Sequence, residues 1–272
     1  MKSIRTIACL APTLTAFALF LLPARLSAAA LLEEGFNYAE GSLTSVSSPN
    51  WNAHSGAGSN PAQVLTTAAL SFPALTAIGG KGVAFGHRSA SSEDVNRSVA
   101  GMITTDGNSV YASCLFRVDS ITTIASGADA TFLIFSNSTD WPSRMMIKAD
   151  TSVTTYALGA SAAAPTTVAY GTNTQNLNVG TTYFVVISSD FIAGATNNTS
   201  RIWVNPATGL LSAPAADATA TNTGAEVAVP VGIGIRQGAN QRLNMVIDEI
   251  RVGNTWADVT PSSAGVENWS LY

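Results

Sequence analysis

"SVYASCLFRVDSI", residues 109–121, alternates apolar and mixed positions with a period of two. Val110, Ala112, Cys114, Phe116 and Val118 fall on one side, and Tyr111, Ser113, Arg117 and Asp119 on the other. Successive side chains of an extended chain point to opposite faces, so the pattern predicts a long antiparallel strand with one face in a core and the other toward solvent. Asp106-Gly107 precedes it in "TTDGNS". That pair tolerates positive φ and suits a tight turn, which predicts a hairpin between residues 98–103 and the strand from Ser109.

The rest of the chain repeats the pattern in shorter pieces. Runs rich in Val, Ile, Thr and aromatic residues occupy 130–137, 143–150, 154–160, 181–191, 200–206, 226–236 and 243–253, separated by Gly, Asn, Asp and Pro. None carries an apolar period of 3.6 over three turns, and many short strands predict an all-β sandwich or barrel. Pro230 inside the 226–236 run places that strand at an edge or a bulge. Residues 207–224 have no strong period and predict a long surface loop.

Residues 1–29 have the layout of a secretory signal peptide: Lys2 and Arg5, then the apolar "TAFALFLLP", then small residues around Ala29. The apolar stretch is shorter than the roughly 20 residues that cross a bilayer and is interrupted by Pro12, Pro23 and Arg25, so no membrane insertion is expected after cleavage. The expected organisation is a signal peptide over 1–29, one sandwich domain over 30–258 and a short tail over 259–272, in a protein that is secreted, extracellular or periplasmic. Cleavage removes three of the 13 Lys and Arg and none of the 17 Asp and Glu, leaving a net charge near −7. An acidic chain of this kind is not expected to bind nucleic acid. Cys114 is then the one remaining cysteine, so an internal disulfide is excluded.

Few residues announce chemistry. G-x-S-x-G, H-E-x-x-H and C-x-x-C are absent, and the two histidines, His54 in "WNAHSG" and His87 in "FGHRS", sit in turn-like stretches. Trp51 and Trp141 occur among loop-type residues, with His54 and Arg144 close by in sequence. An exposed loop tryptophan offers a flat apolar surface to a sugar ring, and neighbouring polar groups bond its hydroxyls, so Trp51, His54, Trp141 and Arg144 are candidate carbohydrate-binding residues. The alternative is that each tryptophan covers a sheet edge.

"VIDEIRVG", residues 246–253, places Asp248 and Glu249 side by side in an apolar run. Alternation puts Val246, Asp248, Ile250 and Val252 on one face and Glu249 with Arg251 on the other, so the two acids do not form a catalytic pair sharing a face. Glu249 is expected in solvent beside Arg251. Asp248 is expected to be buried, which is costly without a partner. A structural calcium ion, a cage of backbone N–H groups, or a bulge turning Asp248 outward would each serve. Calcium prefers carboxylate oxygens, and Glu34 or Glu40 in "LLEEGFNYAEG" would supply a second one if the first and last strands pair.

Taken together, "EGFNYAEGSL", "WNAHSG", "VGTTYFVVISSDF", "RIWVNP" and the closing "IDEIRVG" resemble bacterial secreted proteins of the concanavalin A-like, LamG-like jelly-roll group, over about Glu34 to Trp256. The resemblance implies a jelly-roll β-sandwich of two antiparallel sheets with adjacent terminal strands. It also implies a structural calcium near the closing strand, which falls on Asp248. Relatives in the group are lectins, carbohydrate-binding modules and glucanases. The glucanase acid motif E-x-D-x-x-E is missing, so the expected function is non-catalytic binding of a polysaccharide or cell-surface glycan. The alternatives are a structural or adhesion protein of the envelope and a polysaccharide-degrading hydrolase.

Overall fold

The structure, a computed structural model, describes residues 29–86, 91–123, 127–136, 141–162, 167–194, 196–224, 229–238 and 242–263. The expected signal segment up to residue 28, His87 and the last nine residues of the tail lie outside them. Strands form in each of the predicted runs and also in shorter stretches between them. In chain order they are β1 (Leu32–Glu34), β2 (Gly41–Ser42), β3 (Asn52–Ser55), β4 (Gln63–Leu65), β5 (Gly82–Gly86), β6 (Asp94–Ser98), β7 (Ser109–Thr123) and β8 (Asp129–Phe135). Then come β9 (Ser143–Ala149), β10 (Thr155–Ala162), β11 (Leu177–Asn178), β12 (Tyr183–Asp190), β13 (Thr199–Val204), β14 (Ala218–Thr221), β15 (Gly232–Ile235) and β16 (Arg242–Gly253).

The strands make two antiparallel sheets stacked as a jelly-roll sandwich, the all-β fold expected. One sheet has nine strands in the order β14-β13-β12-β7-β16-β5-β4-β2, with β1 paired to β16; the other has seven in the order β11-β10-β9-β8-β15-β6-β3. Leu32 pairs with Val252 and Glu34 with Ile250, so the first and last strands are neighbours as anticipated. The inner face of β7 is the predicted one: Val110, Ala112, Cys114, Phe116 and Val118 are all in the core between the sheets.

Four sequence expectations fail for physical reasons. The outer face of β7 is not open to solvent along its first half, because Tyr111 and Leu115 belong to a second apolar cluster on the far side of the nine-stranded sheet. Residues 98–103 do not form a hairpin with β7, which pairs with β12 and β16. β6 instead joins β15 and β3 in the opposite sheet. The Asp106-Gly107 turn therefore passes the chain between sheets. Finally, Pro230 precedes β15 and does not mark an edge, for β15 is an inner strand between β6 and β8. Part of the expected 207–224 loop is also the edge strand β14, paired with β13.

Irregular chain seals the nine-stranded sheet from outside. A short helix, α1 (Trp256–Val259), starts at a capping box in which Asp258 Oδ2 accepts from Thr255 N at 2.7 Å and Thr255 Oγ1 accepts from Asp258 N at 3.3 Å. It seats Trp256 edge-on against Trp203, 4.9 Å between ring centroids, and against Tyr111 at 5.9 Å. Residues 72–78, 208–209 and 260–263 are laced together above the same face by Thr76 N→Pro261 O, Gly209 N→Thr260 O and Ser263 N→Ala74 O. The packed chain thus runs on through Ser263.

Trp51 belongs to this architecture. It is only 1% exposed and stacks on Phe36 at 5.9 Å. Its Nε1 donates to Glu34 Oε2 at 3.0 Å. The expectation of an exposed sugar platform at Trp51 is corrected: the loop folds inward because the indole N–H finds a buried carboxylate there. Truncating a packed aromatic removes its transfer energy and leaves a cavity. Trp51→Ala is therefore expected to cost about 3–5 kcal/mol in urea unfolding, and a loss under about 1 kcal/mol would contradict the packing described.

Candidate functional site

The outer face of the seven-stranded sheet gathers the polar groups that the core does not use. Ser161, Arg144, Leu133, Gly234, Asn96 and Asn52 stand in register across β10, β9, β8, β15, β6 and β3. Along β9, Met145, Ile147 and Ala149 point into the core, so Arg144, Met146 and Lys148 line the outer face. Ala130, Leu133 and Met146 form a small apolar floor there, and Trp141, just before β9, packs on it with Val168. The chain at 168–170 bridges to Ala160 along the edge of β10. It folds Val168 and Tyr170 over Gly159, where a Cβ would meet Val168 Cγ1 at 2.5 Å and Tyr170 Cε1 at 2.8 Å.

Charge is distributed unevenly over this face. Arg144 Cζ lies 4.9 Å and Arg236 Cζ 4.8 Å from the centroid of the Trp141 ring. Lys148 Nζ lies 5.2 Å from the Tyr170 ring. A cation is held at such distances by the negative face of the ring. Burial, then the neighbouring Asp150, raises the pKa of the Tyr170 hydroxyl, which keeps it a neutral donor.

Asp94 anchors the other side of the group. Its Oδ1 accepts from Gln237 N at 2.7 Å and its Oδ2 from Ser55 Oγ at 3.0 Å. His54 Nε2 and Arg236 Nε stand 3.9 and 3.7 Å from that second oxygen, outside hydrogen-bond reach. Burial lowers the pKa of His54 more than Asp94 raises it, with Arg236 lowering it further, so the imidazole is neutral at pH 7. The face can donate several hydrogen bonds and hold an apolar patch against a ligand.

Of the four sequence candidates, the structure brings His54, Trp141 and Arg144 to this face, and Trp51 is the one it removes. The sequence reading missed Asp94, Lys148, Tyr170 and Arg236. Lys148 had a signal, since it shares a face with Arg144 by period-two spacing in "SRMMIKAD". Arg236 and Tyr170 had none, because strand order and a loop crossing bring them in.

The expected calcium pair does not fit. Leu115, Asp248's partner on β7, belongs to the outer cluster, so Asp248 faces away from the inter-sheet core, whereas Glu34, paired with the core residue Ile250, faces into it. Both carboxylates are turned toward donors rather than toward a shared ion. Asp248 Oδ2 accepts from Leu70 N at 2.8 Å and Oδ1 from Glu249 N at 2.7 Å. Glu34 accepts from Phe36 N at 2.8 Å, Tyr38 Oη at 2.8 Å, Trp51 Nε1 and Arg97 of β6, clamping the two sheets together. Among the described residues no group of three His, Cys, Asp or Glu is placed to hold a metal ion.

A bulge between Asp248 and Arg251, with Glu249 at φ 52°, also corrects the alternation. Ile250 and Val252 return to the core side, and Glu249 is not in solvent. It is buried under the 78–79 turn, where Ile78 N and Gly79 N donate to it at 2.6 and 2.8 Å and Arg251 Nη2 lies 3.4 Å away.

A recess of about 410 Å³ opens at another place, among Asn60, Gln63, Ala84, Asp119 and Asn244. Its polar groups are largely committed: Gln63 Nε2 donates to Pro61 O, Asn244 Nδ2 to Ser120 Oγ, and Arg117 Nε to Asp119.

No protein-family model matches the chain, and no curated protein is similar to it in sequence. Among solved structures, "Cellulose induced protein, Cip1" is similar at 12% identity, TM-score 0.46, over 76% of this chain and 92% of that one. The catalytic domain of a glycoside hydrolase family 131 protein from Coprinopsis cinerea is similar at 11% identity, TM-score 0.46, over 78% and 86%. "Alginate lyase AlgAT5 from Polysaccharide Lyase family 7" is similar at 11% identity, TM-score 0.44, over 75% and 94%. Likeness at this level decides nothing about the chemistry of this chain.

The donor-held carboxylates yield a two-part expectation. EDTA should leave the melting temperature unchanged. Burial, only partly offset by the two backbone donors, pushes the Asp248 carboxyl from 3.8 up to about 7. The folded state then holds a proton that the unfolded chain releases, so stability from this group falls as pH rises through that window. The stability of the protein relative to Asp248→Asn should therefore decline between pH 4 and 7 and level off above. A pH-independent difference, or a melt lowered by EDTA and restored by Ca²⁺, would contradict this account.

Proposed function

We propose that this chain is an exported, non-catalytic sandwich that binds carbohydrate on the outer face of its seven-stranded sheet. The observation that carries the reading is convergence. His54 and Asp94 from one part of the chain, Trp141, Arg144 and Lys148 from a second, Tyr170 from a third and Arg236 from a fourth meet on one face beside a small apolar floor, while irregular chain seals the corresponding face of the other sheet. An apolar floor ringed by hydrogen-bonding side chains suits a polyhydroxylated ligand, which presents both C–H patches and oxygen atoms.

The test is retention of the mature chain, beginning near residue 30, on immobilised polysaccharides of varied composition. At least one should retain it, and Trp141→Ala, which removes the ring that the Arg144 and Arg236 guanidiniums lie against, should weaken that retention by about tenfold or more. Retention by none, or retention unchanged by the substitution, would remove the reading; self-association without sugar would favour an adhesion role instead.

A further inference from the structure

We infer that the ligand of this face is a polysaccharide carrying oxyanions, carboxylate or sulfate ester, and not a neutral glycan; this rests on the carbohydrate-binding reading above. The indole of Trp141 is the natural platform for a neutral sugar, yet two guanidiniums already lie against it, at 4.9 and 4.8 Å. A guanidinium stacked on an indole is orientationally fixed, and the half-buried Arg236 can in that position turn its planar N–H edge to a bidentate acceptor. The ring is thus a holder of Arg144 and Arg236 more than a surface for a sugar.

The local hydrogen-bond inventory is short of acceptors. Trp141 Nε1 and Arg236 Nε are buried donors with no hydrogen-bond partner. Lys148 has no carboxylate within ion-pair distance among the described residues, and its ammonium rests over Tyr170. The acids beside these cations make up only part of the shortage: Asp94, 3.7 Å from Arg236 Nε, is already engaged by Gln237 N and Ser55 Oγ, and Asp150 next to Tyr170 offers one unpartnered oxygen against the donors of Trp141, Lys148 and Arg236. An oxyanion accepts without donating, so it matches a face with surplus donors better than a hydroxyl, which does both. Three of the chain's 13 Lys and Arg stand on this one face of an acidic protein. Placed there, they select for an anion that the rest of the surface would repel.

Two matched pairs of probes test the inference: polygalacturonate against its carboxyl-reduced polymer, and dextran sulfate against dextran. The mature chain should bind one charged member at least tenfold more tightly than its neutral counterpart, and the affinity should fall with added salt. Which pair responds tells carboxylate from sulfate. Arg236→Gln and Lys148→Gln should each weaken that binding about tenfold, whereas Arg242→Gln, the same charge change on an exposed position of β16, should not. Equal binding of charged and neutral members overturns the inference and leaves the carbohydrate reading standing. Binding of charged members that Arg242→Gln weakens as much as the other two overturns the assignment to this face. No binding to these four or to any other polysaccharide overturns both.

Discussion

The arrangement depends on how two adjacent buried carboxylates on β16 are satisfied. Asp248 and Glu249 cannot both remain in a regular strand, because one would then enter the inter-sheet core without a partner. The extra residue at Glu249 resolves this: Ile250 and Val252 stay inside, and both acids turn to backbone N–H groups of residues 70, 78, 79 and 249. Those bonds pin the 69–80 segment over the nine-stranded sheet, where Leu70 and Leu75 join Trp203 and Trp256. Once that face is closed, the outer face of the seven-stranded sheet is where unclaimed donors collect.

Glu34 plays the matching part between the sheets. It stands on β1 in the nine-stranded sheet and takes Arg97 from β6 in the other, with Trp51 and Tyr38 completing its shell. A buried ion pair of this sort adds little net stability against an apolar replacement, but removing one partner strands the other. Its consequence is positional: it fixes the end of the sandwich next to β3, the strand that carries His54.

Much of the fold was legible because period-two alternation is local. The 109–118 pattern named the inner face of β7 correctly, and the pairing of first and last strands followed from the expected sandwich. What alternation cannot register is a residue that breaks it. The positive φ at Glu249 shifts the phase by one, so Ile250 and Val252 change sides relative to Asp248, and Glu249 goes from expected solvent to a buried N–H cage. Trp51 was misjudged for a related reason: its neighbours look like a loop, and only the distant Glu34 draws its indole inward. His54, Trp141 and Arg144 were found by residue type, whereas Arg236 required knowing that β15 lies beside β8.

The central claim is that ligand meets the protein on the face around Trp141, whose ring holds Arg144 and Arg236 there, and away from the buried indoles. Trp51, Trp203 and Trp256 are all at most 2% exposed, and Trp141 is half-buried on the proposed face. The most direct measurement is an NMR titration of the ¹⁵N-labelled tryptophan side chains with an oligosaccharide of whichever polymer binds. The account predicts a saturable shift of the Trp141 indole N–H with the resonances of Trp51, Trp203 and Trp256 unmoved. A saturable shift confined to the other indoles, with Trp141 unmoved, would contradict it.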